Sequence, residues 1–360
     1  MQAGRLGHVG ALDGLRGVAI AAVLLYHAYG LPGGYLGVDL FFVLSGFLIT
    51  ALLLEEHQSR GGISLRDFYL RRARRLLPAG LAGIVIGEVI LVVGFGLAGR
   101  LDRQLLAGPF AALYVENLAH FLHPPVILTL GHYWSLSQEE QFYFLWPPLL
   151  ALLLRRRIPT RWLVGGLSVV IVAVIAHRAS LAGAAWWRTY YAPDSRADGI
   201  LLGCLLAVVW KAGLVPRGRF WHVAGPVALA GYIADLALVE HSSAASAWYG
   251  ITVANVTAAL MVASIVLAPR APLSRLLSFA PARWLGLISY GLYVWGSIVG
   301  VVTGTHGITL VILCLTVACL SYRYLERPFR RSRAASPAAT RPRPLARAEG
   351  GVALQPASPG

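Results

Sequence analysis

Charged residues are scarce in this sequence. Asp, Glu, Lys and Arg make up 13% of its 360 residues, and the 16 acidic groups are outnumbered by 31 basic ones. Soluble globular chains carry about 25% charged residues, so the composition excludes an ordinary soluble fold. Cysteine is nearly absent: Cys204, Cys314 and Cys319 each sit inside an apolar run. Isolated thiols exclude a disulfide framework and a zinc site, which needs clustered ligands. The net charge of +15 is spread over many short loops, a distribution that argues against a nucleic-acid partner.

Apolar sequence is what the chain has in abundance, with 57% hydrophobic residues and a mean hydropathy of +0.65. Apolar runs lie near 11–30, 34–54, 77–99, 134–154, 162–182, 196–214, 220–239, 248–268, 284–303 and 306–325. Such runs approach the ~20 residues needed to cross a bilayer as helix. A further stretch, 104–123, is interrupted by Glu116, Asn117, His120 and His123. Cytoplasmic loops collect Lys and Arg. With the amino terminus inside and 104–123 not crossing, Arg60 to Arg75, Arg155 to Arg161, Lys211 to Arg219, Arg270 to Arg283 and the tail all fall on one side. The expectation is an all-α polytopic transmembrane bundle of about ten spans in the cell membrane, both termini cytoplasmic, with 104–123 re-entrant. No cleavable signal is expected, because the first run holds Arg16 and leads directly into the second. Residues 1–331 read as one integral-membrane domain. Residues 332–360, rich in Ala, Pro, Ser and Arg, read as a disordered basic cytoplasmic tail held loosely against anionic headgroups.

The few polar groups inside these runs are arranged. In "LDGLRGVAIAAVLLYHAYG", Arg16 and His27 are 11 positions apart, which puts them on one helix face, roughly 16.5 Å apart along the axis. Asp13 lies near the same stripe. Ionisable groups in a span cost about 2.5–3.5 kcal/mol at the bilayer centre and normally face a protein-lined interior. Asp39 in the second run, Glu139 and Glu140 in "GHYWSLSQEEQFYFLWP", and Arg196 and Asp198 in "SRADGILLG" share the depth of His27 near the outer mouth. Trp186, Trp187, Tyr190 and Tyr191 nearby fit an interfacial aromatic belt or a platform for a sugar ring. On the inner side, "GGISLRDFYLRRARRLLPAG" reads as a helix opening at a Ser64–Asp67 capping box and ending near Pro78. Its Arg71, Arg72, Arg74 and Arg75 anchor the following span and also suit phosphate groups. His120, His123 and His132 lack the accompanying Cys or Asp that a metal site would need, so no metal is expected.

Together these stretches resemble, in order, the motifs of the acyltransferase-3 family of membrane-bound O-acyltransferases. The Arg–(ten residues)–His pair of the first span, "GVDLFFVLSGFLIT", Arg71–Pro78, "HYWSLSQEEQFYFLWP", "SRADGILLG", "LGLISYGLYVWG" and "SYRYLERPFRR" carry the resemblance over roughly residues 8 to 332. It implies transfer of an acyl group, often acetyl, to a hydroxyl of a carbohydrate or related acceptor. The implied co-substrate is cytoplasmic acyl-CoA, acetyl-CoA first among such donors, with no tightly bound cofactor. One departure is clear: many members continue Tyr-Leu-Trp-His-Trp-Pro, where this chain reads Tyr293-Val294-Trp295-Gly296. The secreted hydrolase-like domain fused to some relatives is not expected here.

For such a transfer, a near-neutral imidazole suits proton removal from an attacking alcohol, which makes His27 the candidate general base. Glu139, Glu140 or Asp13 would orient it. Arg16 and the Arg71–Arg75 group would hold the donor's phosphates below, and Asp39, Arg196, Asp198, Trp186 and Trp187 the acceptor above. Ser45, Ser135 and Ser137 are candidates for a covalent route, but Ser45-Gly46 also suits close helix packing, and Ser135 and Ser137 suit helix capping. The rival class is a transporter or flippase, since intramembrane charges mark transport paths too. It would be expected to show related halves, and no internal repeat is visible. A receptor or scaffold would leave the layered polar groups unexplained.

Overall fold

The structure, a computed structural model, describes residues 6–95, 107–122 and 130–331. The tail beyond 331 and His123 lie outside the described residues. Among the described residues are ten long helices: α1 Gly10–Tyr29, α2 Gly37–Arg60, α3 Leu65–Phe95, α4 Tyr133–Arg155, α5 Thr160–Ser180, α6 Asp198–Lys211, α7 Trp221–Leu238, α8 Ile251–Leu267, α9 Ser289–Thr303 and α10 Gly307–Ser321. Among the described residues there is no strand. Each apolar run of the sequence is found as a helix.

Six of these segments are long and apolar enough to cross a membrane, and a seventh forms if the short helix Ala280–Leu287 and α9, bent by 65°, count as one span. The chain is therefore a multi-pass integral membrane protein, but this count falls short of the ten spans expected. Physical reasons are visible in the others. Helix α6 has 14 residues, about 21 Å against a ~30 Å hydrocarbon core, and α4 carries Glu139 and Glu140 in its interior. Residues 104–123 supply only the short helices Ala107–Ala112 and Glu116–Leu122, neither of spanning length. Glu116 and Asn117 there are wholly buried in protein.

Local chemistry explains where the helices begin and end. Asp13 sits in the first turn of α1, where a carboxylate favours the helix dipole. Gly30, in the left-handed region at φ 70°, closes the helix, its N–H donating to the Leu25 and Tyr26 carbonyls. Ser64 Oγ accepts from the Asp67 N–H at 3.4 Å, forming half of the expected cap of α3. That helix does not stop at Pro78, however; it runs through it. Proline removes one hydrogen-bond donor and crowds the preceding turn. Two tyrosines from other helices attend the neighbouring carbonyls: Tyr290 donates to Leu76 at 2.8 Å and Tyr133 to Gly80 at 3.0 Å.

Helix α2 forms the centre of the bundle, with 72% of its apolar window buried, whereas α5 and α10 bury only 22% and present their flanks to lipid. Small residues permit the closest crossings. A Cβ on Gly46 would fall 1.9 Å from the Ile200 carbonyl of α6, and one on Gly203 would fall 2.1 Å from the Val43 carbonyl of α2. The packing expected of Ser45-Gly46 is thus present. A buried polar spine crosses the same helices. Arg178 of α5 donates to both Asp198 oxygens, at 2.7 and 2.9 Å, and Asn255 of α8 donates to Asp198 at 3.0 Å. Arg196 donates to Asp39 of α2 at 3.0 Å, with both side chains essentially inaccessible.

Candidate functional site

Three cavities follow one another along α1. At its amino-terminal end a cavity of about 450 Å³ is lined by Asp13, Arg16, Arg72, Arg75, Glu139 and Glu140, among others. A narrow space of about 70 Å³ comes next, walled by Arg16, Ser45, Ser135, Glu139, Ser289 and Tyr293. It shares Arg16, Ser45 and Glu139 with the first cavity. At the carboxy-terminal end of α1 a cavity of about 300 Å³ contains His27 and shares Val38 and Tyr293 with the narrow space. The helical spacing of Arg16 and His27 thus puts Arg16 where the first two cavities meet and His27 in the third.

The carboxylates expected beside His27 occupy the other end. Asp13 pairs with His8 at 2.9 Å. Glu139 accepts from Ser45 at 2.9 Å and from Tyr143 at 3.4 Å. Glu140 accepts from Arg72 at 2.7 and 3.0 Å, and the Arg72 guanidinium lies 3.2 Å from the Tyr143 ring centroid. The reason is helix geometry. Glu139 lies six residues into α4, about 9 Å below its start, while His27 faces the turn in which α4 begins. The ring nearest His27 is Tyr26, at 5.1 Å between centroids.

The arginines expected to act as one basic dock divide as well. Arg71 pairs with Glu56 at 3.4 Å, and Arg72 is committed to Glu140. Arg74 is exposed and is not part of the cavity wall, whereas Arg75 and Arg16 are. Asp39, Arg196 and Asp198, expected to meet acceptor, lie behind the His27 cavity rather than on its surface. Arg196 sits 4.9 Å from the Tyr190 ring and 5.6 Å from that of Trp134, and both rings line the cavity. The buried guanidinium therefore supports an aromatic wall. Trp186 belongs to that wall, and Trp187 packs edge-on behind it at 6.2 Å.

Ser135 and Ser137 do not cap their own helix. Ser135 Oγ hydrogen-bonds Tyr293 Oη, whose hydroxyl also donates to the His132 carbonyl at 3.0 Å. Ser137 Oγ accepts from the Glu116 N–H at 3.2 Å and so holds the start of the neighbouring short helix. The His27 cavity also contains His120, His132 and His241. His120 stacks on Tyr191 at 4.4 Å and lies 3.4 Å from Glu116. Sequence reasoning passed over His241, which lies in the loop after α7 with no motif around it. Its ring packs 4.4 Å from Tyr190 and 4.9 Å from Trp186. Burial and the Arg196 guanidinium push its imidazole down to about 4, so it stands neutral near pH 7.

A charged cavity lined by three arginines and three carboxylates, a polar constriction and a histidine-bearing aromatic cavity can admit a long thin molecule from one face and meet an acceptor from the other. Comparison with known proteins agrees with a transferase. The family model described as an acyltransferase domain matches residues 9–322. The peptidoglycan O-acetyltransferase of Listeria monocytogenes is 31% identical over 356 residues, covering 90% of this chain and 56% of that protein. A putative peptidoglycan O-acetyltransferase of Bacillus subtilis is 32% identical over 357 residues, covering 90% and 55%. A putative O-acetyltransferase of Staphylococcus aureus is 30% identical over 354 residues, covering 91% and 58%. The chain spans about half the length of these curated relatives. No solved structure matches it.

Proposed function

Given that this chain belongs to the acyltransferase-3 family, whose domain it carries over residues 9–322, we propose that it moves an acyl group from a cytoplasmic acyl-CoA to a hydroxyl of a cell-envelope glycan. His27 is the general base, in a ten-crossing bundle with both termini cytoplasmic. The observation that carries this reading is the series of cavities along α1, with Arg16 at one end and His27 at the other. Arg16 and Arg75 meet the donor's phosphates, and the slender pantetheine arm threads the space beside Ser45, Ser135 and Tyr293. The acceptor lies against Trp186, Tyr190 and Tyr191 at the far mouth. There His27 takes the hydroxyl proton as the oxygen bonds to the acyl carbon. The carbon–sulfur bond then breaks, and the coenzyme leaves as a thiolate that is reprotonated on the side it came from. Peptidoglycan is the first acceptor to test, since two of the relatives are named for it.

Asp39, Arg196 and Asp198 contribute by holding the aromatic wall and the helices behind it. Glu139 and Glu140 contribute by fixing Ser45 and Arg72 along the donor's path. In proteoliposomes given radiolabelled acetyl-CoA and soluble peptidoglycan fragments, His27→Ala is expected to lower ester formation at least a hundredfold, the low end for loss of a general base. Binding of the coenzyme should change little. Wild-type rates in that variant would end the assignment. Passage of unmodified solute without ester formation would favour a transporter instead.

A further inference from the structure

The His27 cavity has two unlike sides. Besides the aromatic rings, its lining includes an apolar set, Ile20 and Leu24 of α1, Leu292 and Gly296 of α9, and Leu310 and Cys314 of α10, which come from three adjoining helices and form an apolar recess. Leu24 and Ile20 stand three and seven residues before His27, so this wall continues from the imidazole for about two helical turns, roughly 10 Å. Ile20, Leu292, Leu310 and Cys314 are otherwise buried, at 1–3% exposure. At Gly296 the recess is unfilled: a Cβ built there would meet nothing within 4 Å. Gly46, Gly203 and Gly286 differ from it, each packed so that a Cβ would overlap a neighbouring backbone. Gly296 is therefore not explained by helix packing. What it does is leave space in the cavity that also holds His27, among the apolar residues Leu292, Leu310 and Cys314.

We propose that this recess is an acyl-chain subsite, and that the missing side chain at Gly296 lets the protein carry linear or branched acyl groups longer than acetyl. The inference rests on the acyltransferase reading and deepens it by naming the donor class. A two-carbon acetyl group would occupy only the first part of a 10 Å recess. Each further methylene placed against Leu24, Ile20 and Leu310 leaves water, which favours binding about fourfold. The transfer itself is unchanged: the same carbon–sulfur bond breaks, and His27 takes the same proton. The recess acts on which chain is accepted, so Gly296 is a specificity-determining position.

The test uses the full chain in proteoliposomes, with acetyl-, propionyl-, butyryl- and hexanoyl-CoA in turn and soluble peptidoglycan fragments as acceptor. Ester products are counted by mass spectrometry. The wild-type protein is expected to transfer butyryl with a kcat/KM at least equal to that of acetyl. Gly296→Leu, which fills the recess, should lower the butyryl-to-acetyl ratio at least tenfold, and Gly296→Ala should fall between. Leu310→Ala, which lengthens the recess, should move the ratio towards hexanoyl. The proposal is overturned if the wild-type protein transfers acetyl alone, or if neither Gly296→Leu nor Leu310→Ala moves the ratio. Absence of ester from every donor with the wild-type protein would instead overturn the acyltransferase reading, and the subsite with it.

Discussion

The Asp39–Arg196 pair offers a worked prediction about what holds the site in shape. Both side chains are essentially inaccessible, and one 3.0 Å hydrogen bond joins them. Replacing Asp39 by Ala would leave the buried Arg196 charge without its hydrogen-bonded carboxylate, against the Tyr190 and Trp134 rings. Breaking a buried pair from one side costs about 3–5 kcal/mol, because the remaining charge is uncompensated. At a few degrees per kcal/mol, that corresponds to a fall on the order of 10 °C in the apparent melting point. Removing both charges, as in Asp39→Leu with Arg196→Met, removes the desolvation cost together with the attraction, and such exchanges are often close to neutral. The double variant should therefore be more stable than Asp39→Ala by at least ~2 kcal/mol. Thermal unfolding of purified protein in nanodiscs, with the single and double variants side by side, measures this. Asp194→Ala serves as the comparison, since that carboxylate is 54% exposed in its pair with Arg188 and is worth at most about 1 kcal/mol. If Asp39→Ala costs no more than Asp194→Ala, or the double variant is as unstable as the sum of its parts, the reasoning about the buried spine is wrong.

Close packing and titration supply two further predictions. Gly46→Ala places a Cβ where the Ile200 carbonyl stands, so α2 and α6 must separate, at a cost of about 1–3 kcal/mol. Gly165→Ala, in α5 with nothing within 4 Å, should instead raise stability by roughly 0.5–1 kcal/mol; melting curves of the two would distinguish them. His241 is held at about 4 in the folded chain, against about 6.5 when unfolded. Between those values the unfolded chain binds the extra proton, so this histidine's contribution is intact above about pH 6.5 and is lost progressively as pH falls towards 4. His241→Gln should flatten that part of a stability-against-pH curve, and an unchanged slope would show that the ring is not titrating there.

Much of the fold could be read from the sequence because membrane helices declare themselves by length and hydropathy. All ten apolar runs became helices, and Arg16 and His27 appear where an 11-residue spacing puts them. What could not be read was partner choice among buried charges. Arg196 and Asp198 look like a pair in the sequence, yet Arg196 ends the short helix Pro193–Arg196 and Asp198 opens α6. Each turns to a different helix, Arg196 to Asp39 and Asp198 to Arg178. Glu139 and Glu140, 100° apart, divide in the same way between Ser45 and Arg72. Pro78 looked like a terminus because the tyrosines that attend the nearby carbonyls come from residues 133 and 290. His241 entered the site only through tertiary packing, for which no local pattern exists.

The account stands on a donor that enters at the Arg16 end and an acceptor that is modified at the His27 end. Proteoliposomes of fixed orientation, with acyl-CoA confined to one face and soluble glycan to the other, test that claim most directly. Ester should accumulate on the glycan side when acyl-CoA is on the face bearing Arg71–Arg75, and not when the two compartments are exchanged. Product that forms only when donor and acceptor share a compartment would contradict it.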